Sequence, residues 1–595
     1  MKLADALVKT LRDWDTRYVF GVSGANVEHL HDAIHRLGQG RIESVLAKSE
    51  VGAAFMADSR ARTHRTLGVC LATSGGGMMN LAVGLAESYA ESVPVLALIG
   101  QPPMALEGRG AFQDSSGIGR SVDAEALFAS TAKYVRKVDS AESFWPSLRE
   151  AAVAAQSGRP GPAVLLLPRD VYEMQVGPRP ADLGGLLTSL RSSPSVAPGE
   201  VRELFESIRD AQNPVLLLGT GVERSPNPVA VRAFAHRAGI PVATTMASPG
   251  SFPHDDPLFL GIVGAAGHPS AHDYLNTTAD LVVAVGTGLN VMVRQPLGPA
   301  IERCRFAAVN IDAAEFRGAV AESLIVEADA GEVFERLLAL IEEEPFHRGP
   351  AEGHALTRYR PVVAPPLNEE SSAFVGGLRQ SEAVEVLEKH LPRRGHLLFD
   401  AGNCAVAALH GMNIPEDLTA TIALGMGGMG YAIAGSIGAQ LGDEDGRTIV
   451  VCGDGAFLML GLEVHTAIER QLPILFVVFN NNAHGMCVSR QQLLFEGRVE
   501  CSRYSAIDAA AVARGLGPRE TLWSARVHTK AELIDRLAEY ETGHVHGPGV
   551  LELVLTREEL PPFGPFLGEK AETMVVPRSD GQSDEGRKAR RMKVA

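Results

Sequence analysis

Two short runs carry residue types suited to holding a divalent cation against a phosphate: Gly453-Asp454-Gly455 and Asn480-Asn481. Asp454 offers a carboxylate, Asn481 an amide oxygen, and the backbone carbonyl near Ala483 a third oxygen. Magnesium favours six oxygen ligands, takes few from protein, and completes its shell with phosphate and water. The apolar runs 449–452 and 474–479 read as buried strands, with a helix over 462–471 between them. Parallel strands joined by such a crossover end on the same rim of a sheet, where α/β proteins bind ligands. Asp454 and Asn481 therefore meet at one place.

The rest of the chain supplies frameworks of the same kind. Strand-like runs at 18–22, 44–47, 66–71, 95–99 and 163–167 alternate with helical patterns, which predicts a doubly wound parallel sheet over 1–177. A polar Ser/Pro linker, 178–198, leads to a second α/β unit, 199–345, with strands at 215–218, 242–244, 281–285 and 306–310. Its strand-end turns Gly219-Thr220-Gly221 and Gly286-Thr287-Gly288 suit either nucleotide docking or tight strand-to-helix turns. A Pro-, Glu-, Gly- and Ser-rich connection, 346–377, precedes the third unit, 380–560, which carries the cation motif. The charged tail 578–595 lacks apolar periodicity and is expected to be disordered. At 595 residues the chain exceeds a single core. Its formal charge of −16 argues against a nucleic-acid partner. No run reaches the roughly 18 apolar residues of a membrane span. The amphipathic start, with Lys9, Arg12 and Asp13, is no secretory signal, and the six cysteines show no zinc spacing. Cytoplasmic location is the expectation.

The span from Gly453 to Met486 resembles the cofactor motif of thiamine diphosphate (ThDP) enzymes, which opens on Gly-Asp-Gly and closes on Asn-Asn. Within that superfamily the chain is most similar to the acetohydroxyacid (acetolactate) synthase large subunit, over about residues 1–560. The resemblance implies three doubly wound parallel-sheet domains (pyrimidine, middle and diphosphate) and two cofactors, ThDP and Mg2+. It places Gly453, Asp454, Gly455, Ala456, Asn481, Ala483, His484, Gly485 and Met486 at the diphosphate and metal, joined by Gly402 and Asn403. Glu50, in Lys48-Ser49-Glu50-Val51-Gly52, matches the glutamate that hydrogen-bonds the aminopyrimidine and promotes loss of the C2 proton. In Gly425-Met426-Gly427-Gly428-Met429-Gly430-Tyr431, Gly427 lies in the loop and Met429 matches the side chain wedged between the cofactor rings. Phe112 and Gln113, in Gly108-Arg109-Gly110-Ala111-Phe112-Gln113, match a segment near the reacting carbonyl. Family likeness also implies that Glu50 of one chain meets the cofactor held by another, in a homodimer or homotetramer. Nothing in the residues speaks to a regulatory subunit.

Departures from the synthase pattern narrow the chemistry. Ala25 stands where some decarboxylases carry an acid that protonates the reacting carbon, as alanine does in benzaldehyde lyase. Arg490 replaces the synthase tryptophan that shapes the acceptor pocket, and an arginine binds carboxylate or phosphate. His484 stands where synthases have leucine or glutamine, placed to shuttle a proton or to hydrogen-bond backbone. Gly288–Arg294 replaces the flavin-contacting Arg-Phe-Asp-Asp-Arg run, which weighs against FAD. The favoured reading is a carboligase that decarboxylates a 2-oxo acid, with pyruvate foremost, and transfers the acyl unit to an acceptor carbonyl. The alternatives are a ThDP-dependent 2-oxo acid decarboxylase or acyloin lyase, a flavin-dependent oxidase, and a catalytically silent subunit.

Overall fold

Long apolar runs bounded by glycine and proline become three parallel sheets in the computed structural model. It describes residues 1–190, 196–316, 318–320, 323–349, 355–363, 377–557, 559–560, 562 and 575–576. The first sheet runs in the order Glu43–Leu46, Tyr18–Gly21, Gly68–Ala72, Val95–Gln101, Ala163–Pro168, Tyr134–Lys137. Its three central strands are buried at every position, as strands covered by helices on both faces must be. The second sheet orders Leu324–Glu327, Arg305–Asn310, Leu281–Val285, Pro214–Leu218, Val242–Thr245 and Phe259–Val263. The third orders Leu378–Arg379, Gly549–Arg557, Ile474–Asn480, Arg447–Gly453, Gly395–Phe399 and Leu418–Ile422, with Trp523–Val527 beside Gly549–Arg557. This is the three-layered α/β architecture expected of the chain.

Three details differ from the sequence reading. The helix expected over 462–471 is present as Val464–Arg470, but a further helix, Asp454–Leu460, and a 3-10 turn, Gly461–Glu463, precede it. Asp454 thus opens a helix directly from the strand end. The expected linker 178–198 is partly packed: Leu183, Leu186 and Leu187 are buried against the first domain, and Trp14 Nε1 donates to Leu183 O at 2.7 Å. In the connection 346–377, Arg358–Tyr359 pairs with Val575–Val576, and Val362–Val363 pairs with Glu559–Leu560. The tail 578–595 lies outside the described residues.

The first and third domains share one apolar core. It is built around the helices Glu50–His64 and Tyr431–Gln440, which cross through small residues. A methyl added at Gly438 would lie 2.0 Å from Met56 O, and one at Gly435 would lie 3.1 Å from Ser59 Cβ. Backbones approach this closely only where a side chain is absent.

Candidate functional site

The strand Arg447–Gly453 lies beside Ile474–Asn480 in parallel register, so Asp454 and Asn481 emerge side by side at one sheet edge. They line a cavity of about 240 Å3 together with Gly402, Asn403, Gly427, Met429, Gly453, Gly455, Ala483, His484, Gly485 and Met486. The helices Asn403–Gly411, Asp454–Leu460 and Gly485–Leu494 all begin at this cavity. Helix N-termini turn free N–H groups and partial positive charge toward it, which favours an anion such as a diphosphate. Ala456 is buried one turn into its helix and does not line the cavity.

Among the described residues, Asn403 Oδ1 and His484 Nδ1 are buried here without a hydrogen-bond partner, and Asp454 Oδ2 has only the Tyr504 hydroxyl near it. Leaving such atoms unsatisfied costs about 1–3 kcal/mol each, so their convergence marks a place built for a polar guest. Burial pushes the Asp454 carboxyl up to about 6, an environment a cation would reverse. Oδ1 of Asp454 accepts from Gly455 N at 3.0 Å, and Oδ1 of Asn481 accepts from Ala483 N at 3.0 Å. The carboxylate, the amide and the Ala483 carbonyl make a hard-oxygen donor set that fits Mg2+. His484 leans over the Gly-Asp-Gly turn, since a methyl on Gly455 would come 2.8 Å from its Nδ1 and 3.0 Å from Met429 Cε. A side chain at 455 would push these two away from the turn.

The loop carrying Met429 is anchored by Asp400, whose carboxylate accepts from Gly430 N (2.8 Å), Ala432 N (2.9 Å) and Ala401 N (2.9 Å). Burial raises Asp400 to about 6 against the pull of those three donors. The sequence reading did not single out Asp400. A carboxylate directly at a buried strand end, two residues before Gly402-Asn403, was the available signal.

The first domain carries a second group. Glu50 opens its helix, with Ser49 as the cap: Ser49 Oγ accepts from Gly52 N at 3.0 Å. Asn80 Nδ2 donates to Glu50 Oε2 at 3.0 Å, and Glu50 Oε1 lies 3.0 Å from where a Gly77 methyl would be. Thr73 sits beside Gly77 and Gly24, and its Oγ1 donates weakly to Gln113 Oε1 at 3.4 Å. Gln113 holds a left-handed backbone, φ 59°, against Gly75. Ala25 is exposed on the adjacent turn, fixed by the Asn26–Ser74 hydrogen bond of 2.8 Å. Phe112 is 84% exposed, so the described residues leave most of its ring uncovered. Arg490 is exposed one turn beyond Met486 and makes no ion pair with a described residue.

The two groups do not share a cavity within one chain, because no residue of the first domain lines the one at Asp454. They are linked through the core. Glu463, which the sequence reading passed over, is buried and accepts from Lys48 N (3.0 Å) and Ser49 N (2.9 Å), gripping the start of the Glu50 helix. A lone acid in the apolar stretch after Gly461 was its only trace in the sequence.

A larger cavity of about 630 Å3 lies between the first and middle domains, lined by both glycine turns, Arg159, Arg224, Asn290 and Arg294.

Against known proteins, residues 1–119 match the thiamine pyrophosphate enzyme N-terminal TPP-binding domain. Residues 201–337 match the central domain of the same enzymes, and 400–553 the C-terminal TPP-binding domain. The chain belongs to the thiamine diphosphate enzymes. Among its relatives, the probable acetolactate synthase large subunit of Methanocaldococcus jannaschii is 28% identical over 100% of this chain and 99% of that protein. The acetolactate synthase isozyme 1 large subunit of Escherichia coli is 29% identical over 86% of this chain and 88% of its own. Chloroplastic acetolactate synthase 1 of Nicotiana tabacum is 29% identical over 83% and 72% respectively. As a ThDP enzyme, the chain uses thiamine diphosphate, and no helix among the described residues is long and apolar enough to cross a membrane.

Proposed function

We propose that this ThDP enzyme is a carboligase that decarboxylates a 2-oxo acid, pyruvate foremost, and transfers the acyl unit to an acceptor carbonyl. When bound, ThDP supplies the carbon nucleophile and electron sink that the reaction requires. The observation that carries the proposal is Ala25: the turn beside Glu50, Thr73 and Gln113 offers a methyl where a decarboxylase would need a proton donor. Without that donor, release as an aldehyde is disfavoured relative to attack on a second carbonyl.

In this reading Asp454, Asn481 and the Ala483 carbonyl hold Mg2+, while the N-terminal residues of the three helices hold the diphosphate. Glu50, oriented by the Asn80 hydrogen bond to its Oε2, would present Oε1 to the cofactor's aminopyrimidine and hold a proton there. Gln113 orients the substrate carbonyl, and Arg490, on the same helix face as Met486, takes an anionic acceptor. His484 contributes its unpartnered Nδ1 as a hydrogen-bonding group toward the reacting centre.

A working centre then needs two copies of the chain. Met79 and Val83 near the Glu50 group, and Leu458, Met459 and Leu462 after Asp454, are 44–60% exposed. Apolar side chains in this number suit burial against a second copy, with Glu50 of one chain facing the cofactor of its partner. Six free cysteines accord with the cytoplasm. FAD is outside the proposed reaction. The 630 Å3 cavity suits a nucleotide in size, but Gly288–Arg294 carries none of the acidic residues of the flavin-contacting run.

The test is to supply the protein with ThDP, Mg2+ and pyruvate, alone and with added carbonyl acceptors, and to identify products by mass spectrometry. Acetolactate or another coupled product is expected. Acetaldehyde as the sole product would establish the decarboxylase instead, and a flavin spectrum bleached by substrate would establish the oxidase.

A further inference from the structure

The loop bearing Met429 has a second anchor, and it comes from the other domain. Glu87 lies on the first-domain helix Gly76–Ala90 and is 1% exposed. Its Oε1 accepts from Gly425 N at 3.0 Å and its Oε2 from Met426 N at 2.7 Å. The approach is close: a methyl on Gly425 would meet Ala90 Cβ at 2.7 Å and Glu91 Cγ at 2.9 Å. Little else holds this stretch, since Leu424 is 38% exposed and Met426 62% exposed. Apolar burial is therefore a minor restraint on it.

Behind Glu87 stands a buried ionic group. Arg62 lies 2.6 Å from Asp58, 3.6 Å from Glu87 and 3.5 Å from Glu91, and donates weakly to Ile422 O at 3.5 Å, where the strand enters the loop. Tyr431, the residue following the loop, donates to Asp58 Oδ1 at 2.7 Å beneath the Arg62 guanidinium. Burial raises the Glu87 carboxyl above its ordinary range, while the Arg62 guanidinium and the Met426 N–H pull it back down. The loop is thus held at both ends by buried carboxylates: Asp400 from its own domain and Glu87 from the first.

We propose that Glu87 is a positioning residue that sets the 424–429 loop, so that Gly427 and Met429 line the cofactor cavity in the shape that binds ThDP. This rests on reading that cavity as the ThDP site. The two claims fail differently: if the wild-type protein does not bind ThDP the site reading falls, whereas the proposal falls if ThDP binds without regard to Glu87.

The experiment combines calorimetric titration of the apo-protein with ThDP and Mg2+ and local amide exchange. In the wild type, the Gly425 and Met426 amides should be protected from exchange although the segment is exposed. In Glu87→Gln, one backbone donor faces an amide NH2, so exchange over 424–430 should accelerate while 447–453 stays unchanged. ThDP affinity should weaken on the order of ten- to hundred-fold, the weight of one or two charge-assisted hydrogen bonds. Ser88→Ala is the control: it removes the Ser88–Asp58 hydrogen bond of 2.7 Å in the same buried group but touches no loop atom. It should lower thermal stability and leave ThDP affinity within about two-fold, below the weight of one such bond. Unprotected Gly425 and Met426 amides in the wild type would overturn the proposal, whether or not Glu87→Gln folds. So would wild-type ThDP affinity in Glu87→Gln, or equal weakening in Ser88→Ala.

Discussion

His410 offers the sharpest test of how the middle and third domains are joined. It is buried at the end of the helix Asn403–Gly411, stacked between His268 at 4.8 Å and Tyr359 at 5.6 Å. Its Nε2 accepts from Tyr359 N at 2.9 Å, so that nitrogen cannot carry a proton. Burial, reinforced by the Arg358 guanidinium and by His272, lowers its pKa to about 3. His268 is in the same condition, with Nδ1 accepting from Ile262 N at 2.8 Å and its pKa pushed down by burial and by His410. A folded pKa below the unfolded value means the contribution is complete above about 6.5 and is lost as pH falls from there toward 3. For His410 alone, linkage gives a loss of about 2 kcal/mol at pH 5 and about 3 kcal/mol at pH 4. Asp400 works the other way: raised to about 6, it takes a proton in the folded state first and adds stability as pH falls. The wild-type acid curve therefore mixes opposing slopes, and only a difference isolates His410. His410→Gln keeps an acceptor for Tyr359 N–H and cannot titrate. Scanning calorimetry should find it less stable than wild type at pH 7.5, with that gap narrowing by roughly 4–8 °C at pH 5. A gap constant within about 1 °C, less than the shift expected of half a kcal/mol, would refute the neutral, buried histidine.

Other consequences follow from the two halves of the site. Glu50→Gln should lower kcat at least ~100-fold in steady-state assays with little change in ThDP affinity, the usual weight of a proton-transferring side chain. Asp454→Asn should weaken Mg2+-dependent ThDP binding on the order of ten-fold or more by titration calorimetry, since an amide replaces the charged member of the proposed metal-binding set. Gly52→Ala would put a methyl 2.1 Å from Glu463 Oε1, so it should loosen the Glu50 helix and accelerate amide exchange at Lys48 and Ser49. Arg490→Trp should shift acceptor preference from anionic toward apolar carbonyl compounds in competition assays.

The sequence made the central geometry readable because a buried parallel strand leaves few options for where its end points. The strands around Asp454 and Asn481 are continuous apolar runs, and their pairing follows from the right-handed crossover. The break within that crossover was harder to see: Gly461 sits among good helix formers, and propensity alone does not locate a 3-10 turn. Tyr134–Lys137, Phe259–Val263 and Leu324–Glu327 also escaped notice. All three are sheet-edge strands; two have mixed burial, and in the third a glycine interrupts the apolar pattern. Buried carboxylates were the larger omission. Neither Glu87 nor Glu463 stands out in the sequence, and only tertiary packing gives each a pair of backbone amides from another domain.

Most directly at stake is the division of each active centre between two chains. Glu50→Gln and Asp454→Asn variants can be unfolded, mixed in equal amounts, refolded together and assayed at a ThDP concentration too low to load an Asp454→Asn centre. If Glu50 of one chain serves the cofactor held by the other, a mixed dimer contains one centre with both residues intact. Activity should then recover to about a quarter of wild type, the share expected when half the dimers are mixed. If Glu50 instead served its own chain's Asp454, every centre would lack one of the two residues, and the mixture would stay as inactive as its components.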